Sequence, residues 1–94
     1  MVNTEVSKEK LENYFNLTST ALKIVKEKIV PGHEEDAKEI IDMVENYLSD
    51  AEHFESKGNF VLAFGALNYS HGWIDAGVRL GIFDVHDDKL FTVK

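Results

Sequence analysis

His71 and Asp75 stand four residues apart, the spacing that sets two side chains one above the other on a helix face. A histidine oriented by a carboxylate is the arrangement of a general base, or of a metal ligand with its supporting acid. Asp50 and His53 have the acid-x-x-His spacing of helical di-metal sites, which draw on four helices and several inward carboxylates. His33, Glu34, Glu35 and Asp36 make a third polar group, placed to cap a helix start, with weak cation binding as the alternative. The chain contains no cysteine, which excludes disulfides, thiolate metal sites and cysteine nucleophiles together. Gly65, Gly72 and Gly77 fall inside an apolar helical pattern, so they form no phosphate-cradling loop after a strand. No nucleophile and no third ligand accompany His71 and Asp75. The pair therefore reads as a histidine satisfied by its own helix or a neighbour. No enzymatic activity, metal or cofactor is expected, and a small-molecule or metal site at His71 and Asp75 is the alternative.

Three long helices must position these residues. Pro31-Gly32 breaks the helical pattern, because proline cannot continue a helix and glycine relaxes the backbone after it. Gly58 suits the close of one helix and Asn59 the cap of the next. Gly81 is the third break. The first segment, about 7–29, carries Leu11, Tyr14, Phe15, Ala21, Leu22, Val25 and Ile29 at helical steps, with Thr18 as the polar member of the stripe. The second, about 34–57, carries Ala37, Ile40, Ile41, Val44, Tyr47, Leu48, Ala51 and Phe54. The third, about 60–80, carries Phe60, Ala63, Phe64, Leu67, His71, Ile74 and Val78. It has a second apolar set, Leu62, Ala66, Tyr69, Trp73 and Leu80, about 180–240° around the wheel. A helix apolar on two sides is either the most buried of the three or is covered by something further. Helices of similar length, each about 30–36 Å, joined by two-residue connections must run antiparallel. The expected fold is all-α, an up-down-up three-helix bundle in one domain over residues 1–94, with a short non-helical tail at 82–94. Phe83, Val85, Leu90 and Phe91 flank a polar centre in that tail, as in a small hairpin that survives by packing on the bundle, beside Trp73.

Tight turns at 31–32 and 58 set a register. Residue n of the first helix lies level with residue n + 53 of the third, which puts Thr18 level with His71. Two lone polar groups at one height in an apolar bundle should meet, since an unsatisfied buried donor costs about 1–3 kcal/mol. Asp75, one turn along, is the competing partner. The same register separates His53 from His71 by about 12 Å along the axis. Interior glycines at 65, 72 and 77 each cost the helix about 1 kcal/mol relative to alanine. Close approach of another backbone, from a bundle helix, the tail or a second subunit, is the expected compensation.

The 94 residues are 44% apolar and 29% charged, a globular composition of one domain. The longest apolar-plus-glycine run, Phe60 to Leu67, is far short of the ~20 residues that span a bilayer. The opening MVNTEVSKEK has no apolar leader core, so a cytoplasmic protein without membrane contact is expected. The formal charge of −7 disfavours nucleic acid as a partner. Residues 34–57 hold nine acids against Lys38 and Lys57, a local charge equal to that of the whole chain. Acids at a helix start and lysines at a helix end complement the macrodipole. Beyond that, an acidic face suits a basic partner.

The stretch Tyr47–Phe83, with Tyr47, Asp50-Ala51, Gly58-Asn59-Phe60, Ala63 and HGWIDAGVRLG from His71 to Gly81, resembles a small archaeal family, domain of unknown function 357. The resemblance implies a left-handed, up-and-down three-helix bundle and no assigned activity. Gly58-x-Phe60-x-x-Ala63 also resembles a tetratricopeptide turn, but three or more repeats are normally needed. HEPN-type bundles have a similar helix pair, yet Arg79 is the only arginine and no histidine follows it within six residues, so their nuclease motif is missing. The expected role is a non-enzymatic interaction domain. Its candidate residues are Tyr69, His71, Trp73, Asp75 and Arg79, and its partner is another protein or a second copy of the chain.

Overall fold

The computed structural model describes residues 6–86. Three helices follow in order: α1 Lys8–Lys26, α2 Glu34–Ser56 and α3 Phe60–Arg79. Ser7 caps α1, its hydroxyl accepting the Lys10 N–H at 3.1 Å. Asn59 caps α3 by accepting the Leu62 N–H at 3.3 Å. Gly58 takes φ +74° to close α2, a left-handed conformation that a Cβ disfavours. α2 starts without a side-chain bond from its cap residue His33; the Glu34 carboxylate instead accepts the Gly32 N–H at 3.0 and 3.2 Å.

α1 ends at Lys26, three residues before the expected boundary at Ile29, and the first connection is longer than two residues. The cause is long-range pairing. Ile29 forms an antiparallel bridge with Phe83. The Val30 N–H donates to the Ile82 carbonyl at 2.9 Å, and the Asp84 N–H donates to the Lys28 carbonyl at 2.7 Å. Backbone groups that helical continuation would have used are satisfied by the tail. The start of the tail therefore pairs with the α1–α2 connection, while Leu90 and Phe91 and the second half of the expected hairpin lie outside the described residues.

The core runs the length of the bundle through Leu11, Leu22 and Val25 of α1, Ile40, Val44 and Leu48 of α2, and Leu67, Ile74 and Val78 of α3, closed at one end by Ile82, Phe83 and Val85. α3 packs most extensively on α2, less on α1, and α1 and α2 touch least. Phe83 is 2% exposed. Its ring lies against Gly77, where a Cβ would fall 2.5 Å from the ring edge, and beside Ile40. The tail phenylalanine seats on Gly77, one turn along α3 from Trp73. One expectation is corrected: the close approach at Gly77 comes from a side chain rather than a backbone. At Gly65 and Gly72 an added Cβ would meet nothing within 4 Å among the described residues.

Candidate functional site

Four of the five candidate residues fall into two groups on opposite sides of α3. The first is the α1–α3 seam. Thr18 is fully buried, and its Oγ1 lies 3.4 Å from His71 Nδ1, at the register expected from the turns. His71 Nε2 stands 3.7 Å from Asp75 Oδ1, one turn along. Tyr14 leans over the same ring, with centroids 5.8 Å apart, and packs on Phe64 at 5.2 Å. Its hydroxyl donates to Asn68 Oδ1 at 2.8 Å. Burial, and then the negative charge of Asp75, raise the Tyr14 phenol above its ordinary pKa. No buried side-chain nitrogen or oxygen among the described residues lacks a hydrogen-bond partner. The seam is a satisfied polar network that fixes how α1 lies on α3. Among the described residues no three metal-capable side chains converge. His53 is exposed, its ring edge-on to Phe54. Tyr14 and Asn68 carried no signal beyond an apolar stripe position and a polar helix residue.

The second group lies where α3 meets α2. Tyr69 stacks on Tyr47 of α2, with centroids 5.3 Å apart and planes 20° from parallel. Asn68, Tyr69, Gly72, Trp73 and Ala76 line a shallow cleft of about 330 Å³. Gly72 and Ala76, having little or no side chain, leave room between the two larger rings. Tyr69 is 64% exposed and Trp73 39%. Leu62 and Leu80, from the same apolar set, are exposed as well, whereas Ala66 is buried. Ser70, one residue from Tyr69, is buried and donates to the Val44 carbonyl of α2 at 3.1 Å, fixing α3 against α2. Arg79 lies elsewhere, in a cleft beside Val30, Gly81 and the residues of the tail. The structure thus joins Tyr69 to Trp73 and His71 to Asp75, and leaves Arg79 apart from both. No helix among the described residues is long and apolar enough to cross a membrane.

A family model described as "Protein of unknown function (DUF357)" matches residues 13–83. That span covers most of the chain, including most of α1, and ends on the phenylalanine that seats against Gly77. The chain belongs to this family. No curated protein and no solved structure matches it.

Proposed function

We propose that this member of the domain of unknown function 357 family is a non-enzymatic interaction domain that docks a protein partner on the exposed side of α3. The observation that carries the reading is the aromatic pair Tyr69 and Trp73, left exposed around a cleft floored by Gly72. Leu62 and Leu80 extend the strip to either side. Large apolar side chains exposed along one side of a helix are characteristic of interaction surfaces, and tyrosine and tryptophan are enriched in their centres. The glycines support the same reading. An interior glycine costs a helix about 0.5–1 kcal/mol relative to alanine. Phe83 uses the space at Gly77, but among the described residues nothing uses the space at Gly65 or Gly72.

The test compares the wild-type chain with a Tyr69→Ser, Trp73→Ser variant as baits in native cell extract. Both side chains are exposed, so the variant is expected to keep the helical circular dichroism of the parent. A protein retained specifically by the wild type should be lost from the variant. Equal retention by a folded variant would overturn the reading.

A further inference from the structure

The α2 edge of this face carries charge of one sign. Asp36, Glu39, Met43, Tyr47 and Asp50 succeed one another at three- and four-residue steps, so they lie along one stripe of α2. That stripe contains the tyrosine stacked on Tyr69, which places the stripe beside the α3 strip. Antiparallel packing from the Tyr47–Tyr69 stack sets Met43 level with Trp73, Glu39 with Gly77 and Asp36 with Leu80, with Asp50 towards the Leu62 end. The three acids are exposed. Lys38 points to another side of α2, where it pairs with Asp42 at 2.8 Å. On α3 the charged groups are Asp75, held at the α1 seam, and Arg79, beside the tail. The face is therefore an apolar aromatic strip with an acidic rim along its α2 edge.

We propose that the partner is a basic amphipathic helix, laid along α3 with its apolar stripe on Leu62, Tyr69 and Trp73 and its lysines or arginines over Asp36, Glu39 and Asp50. This rests on the docking role proposed for the α3 face and names the chemistry of its occupant. The strip from Leu62 to Leu80 is straight and about 27 Å long at 1.5 Å per residue. A helix offers one apolar stripe of that length with its own backbone bonds already made. An extended peptide would need backbone partners, and the surface of a helix supplies none. A second copy fits worse. It would bring another chain of formal charge −7, with the same acidic rim, against the first.

Two labelled synthetic helical peptides of identical leucine–alanine stripe, one flanked by lysines and one by glutamates, test the proposal on the full chain. Binding is read by peptide anisotropy and by the emission of Trp73, the only tryptophan. The lysine peptide should bind at least about tenfold tighter than the glutamate peptide at low salt and weaken as salt is added. It should also shift Trp73 emission to the blue. Neutralising the rim (Asp36→Asn, Glu39→Gln, Asp50→Asn) should weaken it about tenfold. Neutralising three other acids of α2 (Glu35→Gln, Glu45→Gln, Glu52→Gln) should change binding less than about twofold. Equal losses in the two triple variants, equal binding of the two peptides, or no binding of either overturns the basic helix while leaving the α3 face open to another occupant. Unchanged lysine-peptide binding to the Tyr69→Ser, Trp73→Ser variant overturns both readings. A stable dimer of the chain alone, with Trp73 shielded from acrylamide, assigns the face to a second copy and likewise overturns the basic helix.

Discussion

Gly77, Gly65 and Gly72 lie in the same helix, yet their surroundings give opposite expectations for one substitution. Gly77→Ala puts a methyl 2.5 Å from the Phe83 ring and 3.1 Å from Ile40. Overpacking of this kind costs about 1–3 kcal/mol, against a helix-propensity gain of about 0.5–1 kcal/mol. A net loss of stability is expected by denaturant titration, reversing to a gain in a Phe83→Ala background where the ring is gone. Gly65→Ala and Gly72→Ala meet no neighbour among the described residues. Each should stabilise by about 0.5–1 kcal/mol; destabilisation at either would mean that the described packing is wrong there. Tyr14 gives a second expectation at this scale. Its neutral phenol is favoured in the folded chain, first by burial and then by Asp75. A raised folded pKa means stability that is complete below the ordinary phenol pKa and lost as pH rises through the folded value. Near-ultraviolet titration should show a late-ionising phenol, and Tyr14→Phe should remove that phase.

The bridge between the α1–α2 connection and the tail makes residues 82–85 part of the bundle rather than an appendage. Phe83→Ala removes a ring that is 2% exposed, and should cost about 3–5 kcal/mol. Ending the chain after Gly81 also strips Ile82 and Val85 from the core, and should lower the melting temperature further or drive association. Unchanged melting in both would sink this account of the tail. At the start of α2, the backbone N–H groups of Glu34 itself and of Gly32 hold the Glu34 carboxyl below the usual range. A lowered folded pKa contributes stability above the ordinary carboxylate pKa, lost as pH falls through the lowered value. Glu34→Gln should therefore melt below the wild type at neutral pH and converge with it in acid. A constant difference across that range would point away from the Gly32 clamp.

At the scale of the molecule, the described chain measures 44 × 26 × 17 Å. The shortest dimension is less than two helix diameters of about 10–12 Å. Three helices so arranged can cover one broad side of α3 but not the other, and so Tyr69 and Trp73 remain at the surface. Charge is as uneven as burial. Residues 34–57 carry a local charge equal to the formal −7 of the whole chain. Among the described residues, two ion pairs temper it, Lys26–Glu45 and Lys38–Asp42; both are exposed, and such pairs contribute about 0–1 kcal/mol. Repulsion along α2 therefore outweighs them, and the melting temperature should rise as salt is added from a low starting concentration. A fall would mean that attraction dominates.

The helices, their order and the Thr18–His71 level were legible in the sequence, because the 3.6-residue period, Gly58 with Asn59, and the length of each segment are local signals that survive in any antiparallel bundle. The asymmetry of α3 was legible too, as two apolar sets on one wheel, and it pointed to Tyr69 and Trp73. Which set stayed outside was a matter of tertiary structure, since the area that two neighbouring helices can cover is not written in either one. The end of α1 was decided in the same way. Val25 and Ile29 continue the helical stripe, but backbone bonds from Ile82 and Asp84, more than fifty residues on, take residues 28–30 out of the helix. Gly77 looked like its two sister glycines until Phe83 arrived. Periodicity and turn chemistry act over a few residues and can be read from the chain. The competition between helical and long-range backbone bonds, and for space beside a glycine, is settled only when distant residues meet.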